Sequence, residues 1–169
     1  RAPTPSHCSQ PVGAVSVLYL TGMVSSVWAG RLADRIGRRN VLWMTMAMTM
    51  AGVVLTLSQS LAVIIAGLGL ATFGFFASHS VASSWVGRRA NAPKALASAL
   101  YLFFYYLGSS VVGWLAGLAW DRGAWPAVVA VLVVALGLAL LIAVRLRGLA
   151  PLEPQAVLTS AGTGVRTAG

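Results

Sequence analysis

The spacing of its charges constrains this chain more than any other feature. Residues 12–29, 41–58, 62–85, 98–120 and 126–144 form five runs without a single Lys, Arg, Asp or Glu. As helices rising ~1.5 Å per residue, runs of this length match the ~30 Å hydrocarbon core of a bilayer. No run alternates with period two, so the strands of a membrane barrel are excluded. The sequence predicts an all-α membrane protein with five transmembrane helices. Composition agrees: 58% of the 169 residues are hydrophobic and 9% charged. A soluble domain of this size leaves too much surface in water to hide that apolar content.

The net charge of +9 would suit nucleic acid on a soluble basic face. Here the basic residues sit in short clusters between apolar runs, which excludes nucleic acid and makes the lipid bilayer the partner. Arg31, Arg35, Arg38 and Arg39 fill the first break, Arg88, Arg89 and Lys94 the third, and Arg145, Arg147 and Arg166 follow the last run. The opposite side carries only Arg1 and Arg122. Lys and Arg accumulate on the cytoplasmic side, so the chain starts outside and ends in the cytoplasm. Trp28, Trp43, Trp85, Trp120 and Trp125 fall at run ends, as the interfacial preference of indole predicts. Residues 1–11 then form an extracytoplasmic loop, 12–147 the transmembrane region, and 148–169 a disordered cytoplasmic tail. The polar start at Arg1 has no signal-peptide layout, and the chain is expected to be an excerpt. The single Cys8 excludes a disulfide framework, and no cluster of metal ligands or cofactor motif is present.

Polar content separates the runs. The fifth has no hydroxyl, amide or aromatic side chain and is expected against lipid. The first, third and fourth are rich in Ser, Thr and Tyr, whose hydroxyls need partners in hydrocarbon, so these runs are expected to face other helices or water. The second is intermediate. Small residues mark packing faces: Gly67 with Ala71 and Gly74 with Ser78 on the third run, and Ser109, Gly113 and Gly117 on the fourth.

The first break reads GRLADRIGRRNVL. Gly30 is expected to end a helix, Gly37 to allow a positive φ, and the four arginines to anchor the turn at the anionic leaflet. Asp34 is the lone acid, either a local partner of Arg35 or Arg38 or an acid aimed at a neighbouring helix N-terminus. The pattern Gly30, Leu32, Ala33, Asp34, Arg35, Gly37, Arg38, Arg39 closely resembles the signature loop of the major facilitator superfamily. That loop joins helices two and three, and helices eight and nine, of twelve. The third run has no Arg where the family's fourth helix usually carries one, so the resemblance favours helices eight to twelve, an incomplete bundle. Residues 73–114 resemble bacterial inner-membrane efflux members of the superfamily, the drug or arabinose efflux permeases, which implies a bacterial inner membrane as the location.

The resemblance implies alternating access between two six-helix halves. Asp34 would hold the cytoplasmic gate shut against a helix of the missing N-terminal half. Helices eight, ten and eleven would approach the cavity. His79 is the one ionisable side chain within a run, about 8 Å cytoplasmic of its midpoint. It is either a proton relay or a neutral histidine bonded to a neighbouring helix. Tyr101 and Tyr105, one turn apart, could hold a substrate or simply pack; Tyr19 and Thr72 lie near the midplane and complete the cavity-lining candidates. Asp121 and Arg122 are expected to pair. Asp34, Asp121 and Glu153 all lie outside the runs, so a proton-coupling carboxylate would belong to the missing half. No catalytic constellation is present, and the chain is not expected to be an enzyme. The expected function is the C-terminal part of a secondary active transporter, exporting small-molecule organic solutes with the proton gradient. The alternative is a non-transporting five-span protein acting as a partner or structural subunit.

Overall fold

A computed structural model describes residues 9–89, 93–145 and 148, with side chains described for 20–88, 93–145 and 148. These residues are almost wholly helical and contain no strand. Helix α1 spans Ser9–Ile36, α2 Arg38–Leu55, α3 Leu61–Arg89 and α4 Lys94–Arg145. Segments Leu61–Arg88 and Lys94–Arg145 are each long and apolar enough to cross a membrane. The expected outer loop at 1–11 is helical from Ser9 onward, and residues 1–8 lie outside the described residues, as does the tail at 148–169 apart from Gly148.

The first break is shorter than its polar composition suggests. Gly30, expected to end a helix, lies inside α1, which continues six residues further. One glycine inside a helix costs only ~1 kcal/mol, and the Arg, Leu and Ala that follow are good helix formers. Only Gly37 leaves helical geometry, at φ 88° and ψ 139°, a region that side chains with a Cβ rarely adopt. Its N–H bonds the Ala33 carbonyl at 3.1 Å, and its own carbonyl accepts from Asn40 N at 3.1 Å and Val41 N at 3.3 Å. One residue thus reverses the chain between α1 and α2.

At the far end of α2, Thr56 caps the helix in αR geometry and Ser58 Oγ accepts from Ser60 N at 3.1 Å. The fourth break is a kink rather than a loop. Gly123 (φ −155°, ψ 22°) and Ala124 (φ 52°, ψ −146°) interrupt α4 ahead of Pro126. Proline disfavours the α region for the residue before it and brings no N–H to the helix, so it starts a helical segment better than it continues one. A straight helix of these 52 residues would reach about 78 Å. The kink divides it into a first arm, 94–122, and a second arm, 125–145.

Helices α2 and α3 are the paired centre, each packed on the other and on both α1 and α4. Ala29, Ala33, Val41, Leu42, Ala77, Val81 and Ala143 form a buried cluster around the Gly37 turn, flanked by Leu32, Trp43, Met46, Ala82 and Trp85. At the other end, Trp125 Nε1–H donates to Thr56 Oγ1 at 3.1 Å, fastening the start of the second arm to the end of α2. The second arm buries Val128, Val129 and Ala143 and exposes Val134, Leu138, Leu141 and Ile142, an apolar face of the kind that lipid solvates.

The α2–α3 seam is the closest approach of backbones. A Cβ at Gly67 would lie 2.8 Å from the Gly52 carbonyl oxygen and 2.9 Å from Leu55 Cβ. One at Gly52 would meet the Ala71 backbone nitrogen and, at 2.6 Å, the Gly67 carbonyl. One at Gly74 would lie 2.6 Å from Thr49 Oγ1 and 2.7 Å from the Thr45 carbonyl. Small residues let these helices touch main chain to main chain.

Candidate functional site

Helix α3 presents three faces. Gly67, Ala71 and Gly74 meet α2. Phe73 and Phe76 meet α1: the Phe73 ring lies 5.4 Å from that of Trp28, and Phe76 covers Gly22 so closely that a Cβ there would be 2.7 Å from its ring. His79 meets the first arm of α4. Tyr101 Oη lies 3.0 Å from His79 Nδ1, and the Tyr105 ring centroid is 4.8 Å from the imidazole. Phe75, one turn before His79, lies nearly parallel to it with centroids 6.2 Å apart. The aromatic group is half-buried, with Phe75 the most exposed member.

Helices α1 and α4 both pack on α3, yet among the described residues they do not contact each other. Between them lies a groove floored by α3. Thr72, Phe76, His79 and Ser83 follow one another by four, three and four residues, so they form a single stripe along that floor, and all are half-buried. Three of the five cavity-lining candidates, His79, Tyr101 and Tyr105, are therefore brought together, and Thr72 shares their groove. The Tyr19 side chain lies outside the described residues. Phe75 and Phe76 carry no polar group and drew no attention in the sequence. Their signal was position, one turn from the sole intramembrane histidine.

Other sequence expectations fare differently. The hydroxyl-rich runs were expected to face other helices or water because hydroxyls need partners, but Ser25 and Ser26 donate to the Gly22 carbonyl, Ser78 to Phe75, Ser83 to Ser80, and Ser109 and Ser110 to Tyr106. Each hydroxyl is satisfied one turn back on its own helix, so hydroxyl content alone does not mark a cavity. Thr45 and Thr49 do the same while buried in the α2–α3 seam. Asp121 and Arg122 form no ion pair. Adjacent helical residues point about 100° apart, and Arg122 Nη1 donates instead to the Leu118 carbonyl at 3.3 Å. Ser109, Gly113 and Gly117 lie exposed on the first arm, with nothing in the chain within 4 Å of a Cβ at either glycine.

At the Gly37 turn, Arg38 Nη2 bonds Asp34 Oδ1 at 2.9 Å across one helical turn. The pair brings Asp34 to its local arginine, with Arg35 one position along the same helix. The Asp34 side chain stays 67% exposed, so the pair contributes little to stability, a few tenths of a kcal/mol. Its surface position leaves the carboxylate free to meet another body of protein. Asn40 Nδ2 donates to the Ile36 carbonyl at 2.8 Å and covers the end of α1.

The sequence matches the family profile described as Major Facilitator Superfamily over residues 10–167. The chain belongs to the major facilitator superfamily. It is 50% identical over 115 residues to an uncharacterized MFS-type transporter, YybF, of Bacillus subtilis, covering 68% of this chain and 28% of that protein. The inner membrane transport protein YnfM of Escherichia coli is 47% identical over 144 residues, 85% of this chain and 34% of YnfM. An uncharacterized transporter of Buchnera aphidicola subsp. Schizaphis graminum is 39% identical over 139 residues, 82% of this chain and 34% of its own length. The chain thus spans about a third of the length of the relatives it matches. No solved structure matches it. Superfamily members are membrane transporters of small molecules rather than enzymes, and this chain is a membrane protein of that class.

Proposed function

We propose that the chain is the C-terminal part of a secondary active transporter, helices eight to twelve, that works by alternating access and exports small organic solutes with the proton gradient. The observation that carries this reading is the groove: α1 and the first arm of α4 both pack on α3, and among the described residues they do not contact each other across its polar and aromatic stripe. Half a cavity is what one half of a rocking pair presents. The kink at Gly123 and Ala124 divides α4 into two arms, which supports reading the chain as five crossings. The basic clusters orient them with the Gly37 turn in the cytoplasm of a bacterial cell. A non-transporting five-span subunit has no comparable support, since the relatives are named transporters.

Asp34 is then the gate acid. Exposed beside Gly37 and held by one salt bridge, it would meet a helix of the N-terminal half when the cytoplasmic side is shut and fall back on Arg38 when it opens. Coupling to protons would rest on a carboxylate of that other half, because Asp34, Asp121 and Glu153 lie outside the spans. The test is to recover the full gene, which should encode about seven further spans, and to measure efflux by everted vesicles carrying Asp34→Asn. Efflux should fall at least tenfold; undiminished efflux would remove Asp34 from the gate.

A further inference from the structure

The aromatic group at the α3–α4 seam has chemistry beyond helix packing. His79 Nδ1 is engaged by Tyr101. A phenol donates hydrogen bonds better than it accepts them, because its oxygen lone pair is delocalised into the ring. The pairing therefore sets Tyr101 as donor and His79 Nδ1 as acceptor, which places the imidazole proton on Nε2. Among the described residues Nε2 makes no hydrogen bond, and the residue is half-buried on the groove floor. With Tyr101 as the donor, the Nε2–H has no partner among the described residues and can serve an added acceptor.

Around that donor stand flat apolar surfaces. Tyr105 lies against the imidazole and Phe75 beside it, while Phe76 follows along the floor between His79 and Thr72. Within one turn of this group on α3 and α4 there is no Asp, Glu, Lys or Arg, the nearest cation along the Tyr101 face being Lys94 two turns before it, and the adjoining titratable groups are Tyr101 and Tyr105. An ionic group would find no counter-charge here, whereas a flat ring finds faces to stack on and an acceptor finds one aimed N–H.

We propose that Phe75, His79, Tyr101 and Tyr105 form a substrate subsite for neutral planar aromatic solutes carrying a hydrogen-bond acceptor. His79 Nε2–H donates to the acceptor, Tyr105 and Phe75 stack on the ring, and Tyr101 acts through His79 as a positioning residue that fixes its tautomer. This deepens the transporter reading and rests on it for the direction of movement, not for binding.

The experiment uses the full-length transporter in nanodiscs for binding and in proteoliposomes for flux. Three matched probes serve: naphthalene carboxamide, its saturated analogue decahydronaphthalene carboxamide, and naphthylmethyl trimethylammonium. The wild type should bind the aromatic amide roughly three- to tenfold more tightly than the saturated one, the usual yield of aromatic contacts beyond area. Tyr105→Leu should erase that preference. His79→Phe should weaken the amide about tenfold, the value of one lost hydrogen bond, and leave the aromatic preference in place. Tyr101→Phe should give a smaller loss that His79→Gln, with an amide donor no longer dependent on a tautomer, does not share when the two are combined. Equal binding of the two amides, preferential binding of the ammonium probe, no binding of any probe, or indifference to Tyr105→Leu and His79→Phe would each overturn the subsite. Binding with these dependences but no flux would uphold the subsite and overturn the transporter reading. Flux without them would do the reverse.

Discussion

Helix α3 makes two contacts of opposite kind. Toward α2 it offers Gly67, Ala71 and Gly74, and the two main chains approach until a single Cβ on either side would overlap backbone atoms. Toward α4 it offers Phe75 and His79, and the helices are held apart by rings joined through one hydrogen bond. A backbone seam is close-packed and has one solution, so it behaves as a rigid joint. A seam of rings leaves a gap beside it that a ligand can share. The bundle is therefore stiff on the side of α2 and adaptable on the side of the groove, an arrangement that suits the alternating access proposed for it.

Breaking the rigid seam should have the largest effect. Gly74→Ala sets a methyl against the Thr45 carbonyl and Thr49 on the opposite helix, and neither backbone can yield without parting the helices. A cost of about 1–3 kcal/mol is expected, measured as a shift in the denaturant midpoint of the full-length transporter in micelles. Next comes the outer fastening of α2 to the second arm. Trp125→Phe keeps most of the ring and removes the N–H to Thr56, for about 1 kcal/mol in the same measurement. A loss as large as that of Gly74→Ala would mean that the kink, rather than the backbone seam, holds the bundle together.

The smallest effect sharpens the comparison. Gly113 on the first arm of α4 has the same spacing signature as the glycines of α3, yet nothing in the chain lies within 4 Å of its Cβ position. Gly113→Ala should then change stability by less than ~1 kcal/mol, in the stabilising direction, as alanine is the better helix former. If the full-length protein instead loses as much as with Gly74→Ala, the Ser109, Gly113 and Gly117 stripe is covered by the rest of the transporter, and the adaptable side has a second rigid seam of its own.

Much of this was legible in the chain. Uncharged runs separated by arginine clusters dictate helices in a bilayer, because unpaired backbone and buried charge are both costly in hydrocarbon. The GRLADRIGRR pattern pointed to the family that the comparisons then established. Within the site, His79, Tyr101 and Tyr105 stood out as polar or aromatic groups in apolar surroundings, and the structure brings the three into contact. The failures have one origin. The expectations for the serine partners, the Asp121–Arg122 pair and the end of α1 at Gly30 each treated a residue by type, where local helix geometry decides whom it can reach.

Sequence alone thus determined the class of solvent, the helical content and the placing of the one reversal that needs a glycine, since hydrophobicity and backbone sterics act residue by residue. Only the tertiary structure decided which of two similar-looking glycine stripes is closed and which open, and that His79 meets Tyr101 across a sequence separation of 22. Those outcomes depend on how helices cross, and crossing is set by the fit of whole faces, a property that no single residue carries.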